Sequence, residues 1–168
     1  EYELDSFTGK ALISDDTQMT LFTANGLLVG DTRGAMRGIQ SWPRHYVAQA
    51  YQDWLYTQEY PFDKQKILDR RRNYSCRSWL ADVPEIYSNR APGNTCLSAL
   101  SAQKSGKGLA NDYVKEPQNR SKGCGGIMRV APVALNYKRV EMDTLDMEGA
   151  QIAAITHGHS LGYMPAAI

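Results

Sequence analysis

The stretch "ISDDTQMTLF", residues 13–22, sets Asp15 beside Asp16, flanks them with Ser14 and Thr17, and runs directly into an apolar pattern with helical spacing. Adjacent carboxylates repel, so they are either fully solvated or held by something positive. Downstream, Met19, Phe22, Gly26 and Val29 fall on one helical stripe and Leu21, Ala24 and Leu28 on its neighbour. That predicts a well-buried helix from near Thr17 to near Gly30, with the acidic pair at its N-terminus. Asp and Ser are good N-caps, and negative charge there is stabilising, so taken alone the pair needs no further role. The four side chains are equally a set of hard oxygen donors, suited to Mg2+, Mn2+ or Ca2+ and poorly to zinc or copper.

The rest of the chain is helical in pattern too. Val47, Ala50, Tyr51, Trp54 and Leu55 keep i, i+3, i+4, i+7, i+8 spacing after Arg44, with Pro43 near the start or at a kink and the "YPFD" of residues 60–63 at the end. The basic run "DRRRNYSCR", residues 69–77, reads as a solvated face carrying no function, followed by one turn of helix in "SWLADV" closed by Pro84. In "APGNTCLSAL", residues 91–100, Asn94 or Thr95 can cap a helix that buries Cys96, Leu97, Ala99 and Leu100. A long aperiodic loop with five glycines covers residues 103–126, and "IMRVAPVALNY" reads as the helix that leaves it. The last segment reads as a helix, a break near Gly158 and the start of another. With no useful β-alternation, repeat or linker, the fold class is all-α in a single domain.

Composition narrows the function classes. The 168 residues are 42% apolar and 10% aromatic, as in a globular domain with a core of its own. Nineteen Lys and Arg against 18 acidic residues leave +1, no large field for nucleic acid or an anionic membrane. Cys76, Cys96 and Cys124 are odd in number and lack C-x-x-C spacing, which speaks against a disulfide framework or a structural zinc and for a reducing compartment. No apolar run approaches the roughly 18 residues of a membrane span, and the first residues lack signal-peptide order. The expectation is a cytoplasmic protein with neither nucleic acid nor membrane as partner.

Two further stretches carry chemistry. In "SKGCGGIMR", residues 121–129, Gly123, Gly125 and Gly126 let the backbone come close to a ligand, and a following helix would turn its free N–H groups the same way. That arrangement suits phosphate, although an ordinary flexible loop has the same composition, and the pattern is neither the Walker nor the Rossmann one. In "ITHGHS", residues 155–160, His157 and His159 could hold a metal or a ligand, and a histidine at a helix end is more often structural.

In this order "ISDDTQMTL", "APGNTCLSAL", "SKGCGGIMRVAPVAL" and "ITHGHSLGYMPA" resemble the ADP-ribosylglycohydrolase family, of the dinitrogenase reductase activating glycohydrolase type, over residues 13–168. The resemblance implies a compact orthogonal all-α domain with two divalent cations, Mg2+ or Mn2+, that hydrolyses the glycosidic bond between ADP-ribose and a protein side chain or small molecule. It implies Ser14, Asp15 and Asp16 as metal ligands, Asp15 and Asp16 as catalytic residues, and Ser121, Gly123, Cys124, Gly125, Gly126 and His157 as substrate contacts. His159 gains nothing from it. Cys124 stands where members with a G-N-G loop have Asn, replacing an amide by a weak thiol and leaving the preferred linkage open. The family's N-terminal Gly-Asp and Glu motifs and C-terminal acidic motif have no counterpart here. The chain then reads as the central part of one domain over residues 1–168, with the remaining metal ligands outside it; by itself it is expected to be inactive and to self-associate through uncovered apolar surface. Beside the hydrolase stand a binder of ADP-ribose or a nucleotide without turnover and a structural, crystallin-like relative.

Overall fold

The computed structural model describes residues 4, 6, 9–38, 41–104, 109–136 and 142–168. Part of the long loop, residues 105–108 with two of its five glycines, lies outside them. Among the described residues there are seven α-helices, joined by short 3-10 turns, and no strand: α1 Asp15–Arg37, α2 Pro43–Glu59, α3 Lys64–Arg72, α4 Asn94–Ala102, α5 Ala131–Leu135, α6 Met142–Ala154 and α7 Ser160–Tyr163. The all-α expectation is met.

The first two helices are an antiparallel pair. Thr23 bonds the Tyr51 hydroxyl at 2.6 Å, and five residues earlier Gln18 accepts from Trp54 Nε1 and from Gln58, so the register runs in opposite directions along the two helices. Gly26 makes the pair possible. A Cβ there would lie 2.7 Å from the Val47 Cα, a backbone atom that cannot move aside. Met19 and Phe22 of α1, Val47, Tyr51, Trp54 and Leu55 of α2, Leu100 of α4 and Ile152 beside Ile155 at the end of α6 form one core.

α1 does not end near Gly30. It runs to Arg37 and stops at Gly38, whose left-handed backbone (φ 64°) turns its N–H onto the Gly34 carbonyl. Gly30 is tolerated mid-helix because the Tyr46 ring packs where a side chain would go. Only one of the two expected stripes is buried: Met19, Phe22 and Gly26 face α2, while Leu21 and Leu28 are exposed. The apolar face of α2 is buried as expected, with Pro43 in its first turn.

The basic run is more than a solvated face. Asp63 caps α3 through the Gln65 and Lys66 N–H groups. Arg70 reaches buried Asp53 at 3.3 Å and stacks over Tyr56, and Arg71 pairs with Asp82 at 2.9 Å. A second buried pair, Arg44 with Glu148, joins α2 to α6. The helix expected over residues 127–137 is broken: Ile127–Arg129 is a 3-10 turn and α5 has five residues, with Pro132 in its first turn and residue 137 outside the described set. Large apolar side chains stay exposed late in the chain, Met147 on α6, Leu161 on α7, then Met164 and Ile168.

Gly26→Ala tests the helix pair. Overpacking costs about 1–3 kcal/mol, and backbone in the way puts this site at the upper end, beyond the about 1 kcal/mol recovered in helix propensity. Urea denaturation should show a net loss of about 2 kcal/mol; a neutral or stabilising outcome contradicts the close α1–α2 contact.

Candidate functional site

α1 begins at Asp15, two residues earlier than the pattern suggests, with Ser14 in extended conformation before it and no side-chain cap. Asp15 is buried, whereas Ser14 and Asp16 are exposed. The segment before α4 clasps Asp15 from both ends: its N–H donates to the Arg90 carbonyl at 3.1 Å, and its carboxylate accepts from the Gly93 N–H at 3.4 Å. Between those contacts Ala91 sits at φ 55°, a left-handed conformation a Cβ disfavours, so the segment is shaped by what it holds. Gly93, with Asp15 on its N–H, precedes α4, and neither Asn94 nor Thr95 caps that helix. Burial, together with the charge of Asp16, raises the Asp15 pKa against the lowering influence of the Gly93 N–H. Neither carboxylate forms an ion pair among the described residues.

The glycine loop lies one turn of α4 further on. Arg129 is fully buried just beyond the loop and reaches most of the surrounding elements. It donates to the Gly125 carbonyl, to the Ile152 and Ala153 carbonyls of the last turn of α6, and to the Thr156 hydroxyl at 2.7 Å. It touches Met19 Sδ and Cys96 Sγ and covers the Tyr51 ring at 4.6 Å. No carboxylate pairs with it among the described residues; carbonyls at the negative end of α6 and the ring face disperse its charge.

The loop is laid onto the turn after α6 by Asn119. Its amide donates to the Thr156 carbonyl at 2.7 Å, and its Oδ1 accepts from the N–H groups of Ser121 and Gly158. Ser121 Oγ accepts from the Gly123 N–H. Beneath the loop is His157, 3% exposed. A Cβ on Gly123 would meet His157 Nε2 at 3.2 Å, and one on Gly125 would meet Cε1 at 2.7 Å and Cys96 Sγ at 3.2 Å. Both glycines are needed for the backbone to pass so close to the ring. Cys124, between them, is exposed with a free thiol.

The structure therefore brings Ser121, Gly123, Cys124, Gly125, Gly126 and His157 together, and α4 links them to Ser14, Asp15 and Asp16. Thr20, one turn along α1 from Asp16, closes the link: its hydroxyl donates to the Asp16 carbonyl at 2.7 Å and lies 3.3 Å from the Met128 carbonyl. His159 is elsewhere engaged, capping α7 through the Leu161 N–H. The turn after the loop is too short for the expected helix dipole, so any anion there meets single N–H groups instead. Sequence reasoning missed Arg129, Thr156 and Asn119; the one visible signal was a lone cation in the otherwise apolar "IMRVAPVAL".

Oxygen donors beside one another with no cation fit a hard divalent ion in kind. They do not fit in number, since among the described residues no cluster of three or more His, Cys, Asp or Glu forms. A cleft of about 810 Å3 is lined by Gly30, Asp31, Trp42 and Tyr46 at the other half of α1, roughly 22 Å along the helix from Asp15. Size favours that cleft; convergent polar groups favour the Asp pair and the loop, and chemistry follows the polar groups. No described helix is long and apolar enough to cross a membrane.

Burial, and secondarily the Arg129 charge, lowers the His157 pKa to about 4. Below its usual 6.5 the unfolded chain takes up a proton that the folded one declines, so His157 costs stability as pH falls from about 6.5 toward 4. Asp53 and Glu148, raised by burial, act in the opposite sense, which makes a difference between two proteins the clean measure. Urea denaturation at pH 7 and pH 5 should show His157→Gln losing less stability on acidification than the wild type; equal losses contradict a buried neutral ring.

A family model described as ADP-ribosylglycohydrolase matches residues 2–168. No curated protein and no solved structure matches the chain.

Proposed function

The chain belongs to the ADP-ribosylglycohydrolase family, and on that premise we propose that it is a metal-dependent hydrolase cleaving the N- or O-glycosidic bond between ADP-ribose and a protein side chain or small molecule. The observation that carries the reading is the convergence of the Asp15–Asp16 pair, the glycine loop and His157 at one place in the fold. Ser14, Asp15 and Asp16 are the residues of this chain that would hold Mg2+ or Mn2+, as part of a ligand set. A bound divalent cation supplies charge to orient ribose hydroxyls and to lower the pKa of water.

The chain's own groups do the rest. Backbone N–H groups of residues 124–126 and the edge of His157 can donate to diphosphate oxygens, holding the ADP moiety so that the scissile bond reaches the acidic pair. Cleavage of a glycosidic bond passes through an oxocarbenium-like state, and Asp16, exposed at the helix start, is placed to balance that positive charge and to accept a proton from water. Asp15, buried and clasped by Gly93, orients and does not move. Cys124, at the loop tip, offers a thiol where an amide would donate more strongly, which bears on which linkage is preferred.

Calorimetric titration with ADP-ribose, with and without Mn2+, tests this reading. We expect binding that Mn2+ strengthens, at least tenfold weaker Mn2+-dependent binding in Asp15→Ala and Asp16→Ala, and, in the complete protein carrying the full ligand set, release of ADP-ribose from modified arginine or serine that depends on Mn2+ and on both residues. Binding that ignores Mn2+ and both substitutions, without turnover, would support an ADP-ribose binder; no binding at all would leave a structural relative.

The exposed Met147, Leu161, Met164 and Ile168 support a tendency to self-associate. Sedimentation velocity should show the mass rising with concentration, and a concentration-independent monomer refutes it.

A further inference from the structure

Thr156 stands between two groups with fixed demands. Its hydroxyl carries one hydrogen and two lone pairs. Arg129 can only donate, and its NH2 lies 2.7 Å from Thr156 Oγ1. One lone pair is thereby taken, and the hydroxyl hydrogen must go to an acceptor. The acceptor within reach is His157 Nδ1, at 2.8 Å; Cys96 Sγ, 4.0 Å away, stands toward Thr156 as a weak donor. An Nδ1 that accepts is unprotonated, which leaves the proton of a neutral ring on Nε2.

Nε2 has no hydrogen-bond partner among the described residues, although His157 is buried almost completely. It faces the loop at the two positions that lack a side chain, where hypothetical Cβ atoms of Gly123 and Gly125 would come within 3.2 and 3.1 Å of it. The loop backbone closes on the ring too tightly to admit even a Cβ at Gly125, so the unpartnered Nε2 is a donor for a visiting acceptor that reaches the ring edge at the rim of the loop.

We propose that Arg129 and Thr156 are positioning residues which fix His157 in the Nε2-protonated tautomer, so that the ring edge under the glycine loop donates a hydrogen bond to an oxygen of the bound ligand. The inference rests on the reading of the site given above for the identity of the ligand, and on the hydrogen-bond geometry alone for the tautomer. Burial and the neighbouring guanidinium keep the ring uncharged down to about pH 4, so the donor is neutral and constant across the physiological range. A neutral, unchanging donor discriminates ligands by acceptor geometry without adding a charge that titrates.

The tautomer is read directly from long-range proton–nitrogen NMR of the histidine rings in the 168-residue chain, without ligand. Nε2 of His157 should show a protonated-type shift and Nδ1 an unprotonated one. Arg129 is too deeply built in to remove cleanly, so Thr156 carries the test. Thr156→Val, of similar shape, should shift the ring toward a mixture of tautomers or toward the Nδ1-protonated form, and Thr156→Ser, which keeps the hydroxyl, should restore the wild-type pattern. ADP-ribose affinity should follow: about tenfold or more weaker in Thr156→Val, within about twofold of wild type in Thr156→Ser. An Nδ1-protonated ring in the wild type, or a ring unchanged in Thr156→Val, overturns the relay. A tautomer that changes while affinity does not overturns the donor role. Should the wild type bind no ADP-ribose, the proposed function fails and takes the donor role with it. The ligand-free ring shifts distinguish that failure from failure of the relay.

Discussion

The buried guanidinium of Arg129 is the interaction on which the rest of this structure depends. A cation without a carboxylate partner is costly inside a protein, and it persists where several dipoles converge on it in fixed directions. Here those directions are supplied by the end of α6, the glycine loop and Thr156, with Met19 of α1, Tyr51 of α2 and Cys96 of α4 closing around it. Because the guanidinium is a planar fork with a set donor geometry, it fixes these elements relative to one another in a way a lysine could not. Its Nε is still left without a partner among the described residues, a sign that position outweighs complete satisfaction.

Two consequences follow for the site. The glycine loop is held from below by Arg129 and from the side by Asn119, so a stretch with loop composition is anchored at both ends. The acidic pair is set by a different device, the α1–α2 pairing that places the start of α1 and the strained segment at Ala91 that grips Asp15. α4 is the physical bridge, with Gly93 at the aspartate and Cys96 against the loop and Arg129. Site geometry thus depends on core packing.

Much of this was legible in the sequence because helical periodicity reports burial directly: the α2 face of Val47, Tyr51, Trp54 and Leu55 could be read position by position. α1 was read too short because Gly30 looks like a stop, and only the Tyr46 ring packed against it explains why it is not. The arginine run was read as solvated because the carboxylates that claim it, Asp53 and Asp82, are distant in sequence. The helix after the loop was overread because its apolar spacing continues through Val130 and Pro132, where the backbone changes from a 3-10 turn to a single short helix. For the site, residue types and their order were visible, and the links among them were not. Arg129, Thr156 and Asn119 act through hydrogen bonds spanning about 25 to 40 positions to α6 and the turn after it, and nothing local in the sequence announces them.

The central claim is that the ligand sits where the acidic pair, the loop and His157 meet, and not in the larger cleft at the other half of α1. An experimental structure of the chain with ADP-ribose and Mn2+ tests it most directly. The account predicts the diphosphate against residues 123–126 and His157, with the ribose toward Asp15 and Asp16. Ligand lodged between Gly30, Trp42 and Tyr46, with the glycine loop bare, would contradict it.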